Sequence, residues 1–405
     1  MKKHIWIPLS VVLIAVLVCV PLAYAKSGDS KPAAPSSGGP GIALAQSIST
    51  VTGVAISPLL GVGALGAWQY FSANTPDEKA KLAWYAQVWF WLPALLIIGL
   101  VAAKDALGTA VPPGLKKPLD VLELFENKVS GLVAAGALLP IIYSIFSHFQ
   151  SSSGTASLAG SGFAAMDASG ILSVLSLPFA LAAYAAVWLV FHVVHVLVLL
   201  SPWGGIDAAL KSARVAMMGG ITFITYQHPW VGACLSLIVI VIAYFLAGWS
   251  FRMLVFGTVF GWDFLTRRKK RFTPSAEGNV AFAASKLDKV PVRTYGKLRK
   301  TPEGKFAFTY RTWLVNAPKT IELPAGDFAI GNGLLYPTLE RVEGEDSKAL
   351  LNFPPRCASH EAELGRIYGL PVNDVGLVKG FKAAWRWMKE VFGFGSKAAV
   401  QSVAA

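Results

Sequence analysis

Long apolar blocks separated by short polar stretches fill the first two thirds of the chain, and alternating apolar and polar positions take over after residue 271. A helix needs about 20 apolar residues to cross a hydrocarbon layer ~30 Å thick. Blocks of that kind occupy residues 42–71, 82–103, 129–149, 171–200 and 230–252, the last running on towards residue 264. A shorter block, 215–226, is too short to cross unaided. It reads either as a re-entrant segment or as the first half of a helix kinked at Pro229. The pattern predicts an α-helical membrane bundle of about five transmembrane helices plus this re-entrant or kinked segment.

Beyond residue 271 the period falls to two. Residues 289–299 alternate around Val290, Val292, Tyr295 and Leu298, and residues 305–315 alternate around Phe306, Phe308 and Tyr310. Turn residues separate them, and shorter strands follow at 320–323 and 328–330. The expectation is a small, mostly antiparallel β-domain over 272–376, a partly open barrel in outline, with a short helix at 360–368. Residues 377–405 form an amphipathic helix and tail. Phe381, Trp385, Met388 and Phe392 share one helical face, flanked by Lys382, Arg386 and Lys389.

The first 25 residues have the layout of a cleaved secretory signal. Lys2 and Lys3 precede an apolar core, and Ala23-Tyr24-Ala25 provides a small-x-small cleavage site. Residues 26–41, rich in Pro, Ser and Gly, form a flexible linker, and residues 42–265 form the membrane domain. With the new N-terminus outside, five crossings bring Arg267, Arg268, Lys269, Lys270 and Arg271 to the cytoplasmic face, as the positive-inside rule requires. The reading is therefore a bacterial inner (cytoplasmic) membrane protein with its C-terminal domain in the cytoplasm.

Composition agrees. Of 405 residues, 54% are hydrophobic and only 15% charged, against roughly 25% in soluble domains. An ordinary soluble enzyme, a disordered scaffold and a disulfide-rich module are excluded. Most of the net charge of +13 lies after residue 264. The natural acidic partner of a basic domain beside a bilayer is the anionic lipid headgroup, contacted by the 267–271 cluster and by Lys382, Trp385, Arg386 and Lys389. No nucleic-acid-binding motif accompanies the charge.

Two polar segments, 104–128 and 201–214, each contain an apolar-Asp pair (Leu119-Asp120 and Ile206-Asp207). Each continues into a Gly- and Pro-containing apolar helix, which suggests a repeated helix–hairpin–helix unit. The Gly53…Pro58…Gly61-Val62-Gly63 span, the Lys104-Asp105 pair and the Pro118-Leu119-Asp120…Lys128-Val129-Ser130-Gly131 run carry a resemblance over 42–149, and more loosely over 171–260. They resemble a family of small bacterial multi-spanning membrane proteins catalogued only as a domain of unknown function. That resemblance implies no catalytic residues.

Ionisable side chains at membrane depth are costly and mark candidate sites. His192 and His195 lie three apart on one helical face, continued by Tyr184 and Trp188. With Asp105, Asp120, Asp207, Arg214 and His228 they form the candidate polar pathway. Glu123, Glu126, Lys104 and Lys128 cluster with them at span ends as a possible vestibule. An i, i+3 histidine pair cannot by itself make a four-coordinate metal site. No nucleophile, carboxylate pair or cofactor motif stands out, and Cys357 reads as structural. Two functions follow: transport or handling of a small solute, ion or lipid headgroup, or a membrane-anchored adaptor whose β-domain binds a protein partner.

Overall fold

The computed structural model describes residues 40–107, 113–150, 168–201, 204–266, 268–333, 336–343 and 346–374. The expected signal, most of the linker, Arg267 and the C-terminal amphipathic helix with Lys382, Trp385, Arg386 and Lys389 lie outside the described residues. Two compact units divide between Ala247 and Gly248.

The first unit is helical: α1 (Pro40–Ile56), α2 (Pro58–Ser72), α3 (Pro76–Ala80), α4 (Val88–Leu107), α5 (Pro113–Gln150), α6 (Ala168–Leu200), α7 (Gly204–Gln227) and the first part of α8 (Pro229–Leu265). Among the described residues three helices contain stretches long and apolar enough to cross a membrane: Pro118–Ile142, Leu177–Leu200 and Pro229–Leu265. The apolar stretch of α4, Val88–Lys104, is shorter. The block read as one first span is broken at Ser57, because Pro58 has no N–H with which to continue the helix and starts a new one. The polar segment expected to lie between spans two and three is instead helical from Pro113 and runs without interruption into the apolar part of α5. The short block 215–226 is part of the 24-residue helix α7, which ends two residues before Pro229.

The two Pro junctions share a construction. Gly61 follows Pro58 by three residues, and Gly232 follows Pro229 by three. A Cβ on Gly61 would lie 2.8 Å from the Cα of Val54, and one on Gly232 would lie 2.7 Å from the Cα of Thr225. Residues seven apart in a straight helix stand about 10 Å apart along its axis. At both junctions the helix axis therefore bends sharply, and only a residue without a side chain permits the contact. Farther along α2, Gly66 sits against the carbonyl of Tyr85, where a Cβ would lie 2.2 Å from the oxygen. The bundle core is built of small and branched residues, including Val54, Ala55, Ala134, Ala137, Leu138, Ile141, Val187 and Ile221. Leu96, Leu100, Leu132, Phe179, Tyr244 and Phe245 are exposed. Large apolar side chains on outward helix faces suit contact with lipid rather than water.

The second unit holds an eight-stranded sheet in the order β4-β3-β2-β1-β7-β6-β5-β8. The strands are β1 (Asn279–Ala283), β2 (Tyr295–Lys300), β3 (Phe306–Tyr310), β4 (Lys319–Glu322), β5 (Phe328–Asn332), β6 (Thr338–Glu343), β7 (Asp346–Asn352) and β8 (Val372–Asp374). All neighbours are antiparallel except β5 and β8. The order ends at β4 and β8 with no pairing between them among the described residues, so the sheet is open rather than a barrel. Two strands are shorter than the alternation predicts. Residues 289–294 are not strand, and β3 stops at Tyr310 because Trp313 and Leu314 adopt positive φ of 58° and 64°.

Helix α9 (Glu361–Tyr368) covers the sheet with Leu364 and Tyr368 and ends at Gly369, whose φ is 67°. The Tyr368 hydroxyl accepts from Asn279 Nδ2 at 2.8 Å and donates to the Leu298 carbonyl at 3.3 Å. Burial pushes it up to about 12.

The end of α8 belongs to this unit. Phe256 packs edge-on against Phe282 (4.9 Å between ring centres) and Tyr336 (5.8 Å). Asp263 accepts from Arg356 Nε at 2.7 Å. Composition placed the domain boundary after residue 265. The compact units divide earlier because this half of α8 contributes to the core of the β-unit.

Two expectations follow. Gly66→Ala should lower the melting temperature in detergent by several degrees, since overpacking costs about 1–3 kcal/mol. Gly99→Ala, with nothing within 4 Å of the new methyl, should not. Cys357 is fully buried and its thiol is pushed up by burial, so it stays protonated and unreactive at pH 8. Peptide mapping after iodoacetamide treatment should find it alkylated only once the protein is unfolded. Modification of Cys357 in the native state would contradict the packing.

Candidate functional site

Three helices each carry a polar stripe into the bundle. On α5 it is Asp120, Glu123, Asn127 and Ser130, spaced three, four and three residues apart. On α6 it is Tyr184, Trp188, His192 and His195. On α7 it is Asp207, Lys211 and Arg214. Such spacings keep side chains on one helical face. The end of α4 adds Lys104.

The stripes converge on Glu123, which is 6% exposed. Its Oε2 accepts from Lys104 Nζ at 2.8 Å and from Lys211 Nζ at 2.7 Å. Its Oε1 faces His195 Nδ1 at 3.3 Å. Lys104 also reaches Asp120 Oδ1 at 3.3 Å. The other His195 nitrogen, Nε2, contacts Arg214 Nη1. A guanidinium only donates, so Nε2 must be the lone-pair nitrogen and Nδ1 carries the hydrogen facing Glu123. In this arrangement His195 is a neutral imidazole held between an anion and a cation. The members come from α4, α5, α6 and α7.

His192 lies one turn away and is fully buried. Its Nδ1 is 2.8 Å from Asn127 Oδ1, an acceptor, so Nδ1 donates. Its Nε2 has no hydrogen-bond partner among the described residues. Trp188 stacks on the ring at 5.2 Å between centres and donates to the Asn127 carbonyl at 3.4 Å. Tyr184 donates to the Gly131 carbonyl at 2.7 Å. Gly131 is needed here, because a Cβ would lie 2.5 Å from Trp188 Nε1.

The structure thus unites His192, His195, Asp120 and Arg214 of the expected pathway. Asp207 is buried one turn before Lys211 on the same helix. Asp105 adjoins Lys104 in α4, and its side chain lies outside the described residues. His228 does not join: it stands exposed at the break between α7 and α8. Lys211 and Asn127 went unnoticed in the sequence. The signal for both was the regular spacing of polar residues within otherwise apolar helices. Arg252 Nε donates to the Val292 carbonyl at 2.9 Å, and Asp263 pairs with Arg356. Of the basic cluster, Arg268, Lys269, Lys270 and Arg271 are exposed on a short 3₁₀ turn.

Among the described residues no group of three or more His, Cys, Asp or Glu side chains is placed to hold a metal ion. The histidine partners here are amide, carboxylate and guanidinium groups. No protein-family model, curated protein or solved structure matches the chain.

Glu123→Ala removes the shared anion from Lys104 and Lys211 and the partner of His195. Breaking a buried ion pair from one side costs about 3–5 kcal/mol. The variant should melt many degrees below wild type in detergent. Lys305→Ala, which breaks only the exposed pair with Glu322, should melt as wild type does. Equal melting of the Glu123 variant and wild type would remove Glu123 from the centre of the bundle.

Proposed function

We propose that the chain is an inner-membrane transport protein that moves or handles a small solute or ion, with a proton-exchanging centre at His195 and Glu123. The observation that supports this most directly is the His195 imidazole, buried between Glu123 and Arg214. Glu123 lies five residues inside the start of the apolar stretch of α5. His195 lies five residues before the end of that of α6. Each is therefore about 8 Å from a helix end. That is the depth of a vestibule, not of the bilayer centre.

In this reading a proton arriving at His195 Nε2 takes the lone pair that Arg214 uses. Imidazolium and guanidinium then repel, and Arg214 on α7 must move away while Glu123 holds the new cation. Proton uptake is thereby coupled to displacement of α7. The unpartnered Nε2 of His192 provides a neighbouring polar stop for a proton or a solute. Five crossings with the N-terminus outside place this vestibule on the outer face and Arg268–Arg271 on the cytoplasmic face. They require α4, and α1 with α2, to join the three long helices as crossings.

The test is proton flux into proteoliposomes carrying a trapped pH dye under an imposed potassium diffusion potential. Wild type should acidify the lumen faster than empty vesicles. His192→Ala/His195→Ala should fall to the empty-vesicle rate while keeping wild-type Cys357 protection. Undiminished flux in the double variant would sink the histidine role. The adaptor reading rests on a different observation, the separate core of the β-unit. It gains if the double variant is silent and a stoichiometric protein partner co-purifies with the full chain.

A further inference from the structure

The β-unit contains a second charged site, remote in sequence from the histidines. A cavity of about 50 Å³ lies between the Gly248–Val255 part of α8, the loop before β2 and the turn after β3. That volume holds a few waters or one phosphate-sized group. Three arginines line it: Arg252, Arg293 and Arg311. No Asp or Glu is among the described lining residues, and none of the three arginines has a carboxylate partner among the described residues.

Arg293 is the most telling. It is fully buried, with its guanidinium 4.6 Å above the Phe256 ring and Nη1 at 3.4 Å from the Tyr336 hydroxyl. Its Nε and Nη2 have no hydrogen-bond partner among the described residues. A buried guanidinium with no counter-ion leaves a standing positive field in the cavity wall.

The cavity rim is apolar. Trp313 and Leu314 line it, and the turn continues to Val315, which is 81% exposed. Positive φ at both Trp313 and Leu314, neither of them glycine, turns this apolar tip outward. Trp313 packs on Phe251 of α8 with ring centres 4.9 Å apart. Phe251 and Arg252 stand 22 and 23 residues past Pro229, where α8 begins. A helix uses about 20 residues to cross the hydrocarbon. These two residues therefore fall at headgroup depth, where tryptophan is at home.

We propose that this cavity binds the phosphate group of an anionic phospholipid, with Arg252, Arg293 and Arg311 supplying the positive charge and Phe251, Trp313 and Leu314 lying against the acyl chains. Lipid is favoured over free phosphate because the cation-lined cavity and the exposed apolar tip are contiguous. The site is independent of the proton-exchanging centre proposed for the helical unit.

Binding of dihexanoyl phosphatidylglycerol to the full-length detergent-solubilised protein, measured by calorimetry, tests it. Wild type should bind one equivalent. Arg311→Ala, an exposed change that leaves the fold undisturbed, should bind roughly tenfold more weakly, as should Arg252→Gln. Arg311→Lys should retain most of the affinity, and Val315→Asp should weaken binding through the tip alone. Unchanged cysteine alkylation and melting certify each fold. Equal affinity in wild type and Arg311→Ala would overturn the proposal. So would inorganic phosphate binding as tightly as the lipid, or dihexanoyl phosphatidylcholine binding as tightly as phosphatidylglycerol.

Discussion

A carboxylate surrounded by apolar helices must either be protonated or meet cations at contact distance, and Glu123 meets them. Lys104 and Lys211 reach it as cations from α4 and α7, and the neutral His195 faces it from α6. Ionisable side chains are costly among apolar helices unless partnered, and Glu123 is the partner these three share. This one group therefore sets the mutual rotation of α4, α5, α6 and α7 about their axes. Apolar packing alone specifies such rotation weakly, because Leu, Val and Ala on neighbouring faces are nearly interchangeable. It also accounts for the helical start of α5. A loop at that point would scatter Asp120, Glu123 and Asn127, whereas a helix stacks them on one face.

Proline and glycine do the complementary work of turning the chain. The Pro-x-x-Gly arrangement at residues 58–61 and 229–232 breaks the helix and then lets the next one touch it. The second of these junctions also starts α8, a helix of 37 residues. That is about 55 Å of helix, far more than a bilayer requires. The surplus supplies Phe256 and Asp263 to the β-unit and Arg252 to the cavity beside it. The two units share one helix; the charged site of the first lies on polar residues inserted into apolar helical runs, and that of the second takes one arginine, Arg252, from such a run.

Much of this was legible in the residues. Block length and composition determined that the described residues are helical and apolar up to residue 265 and form a mostly-β unit beyond it. Alternation located β3, and the i, i+3 spacing singled out His192 and His195. Strands β1 and β6–β8 were not legible. β1 is largely buried on both faces, β8 has only three residues, and β6 and β7 do not alternate apolar with polar residues, so period two is hidden. What only the tertiary structure decided is partnership. Helical spacing states which residues share a face, but not which face of which helix it meets, because contacts between residues 88 positions apart, such as Lys211 with Glu123, leave no periodic trace. For the same reason the unpaired state of Arg293 appears nowhere in the sequence. A guanidinium becomes a buried cation only when a sheet and a helix close over it and bring no carboxylate with them.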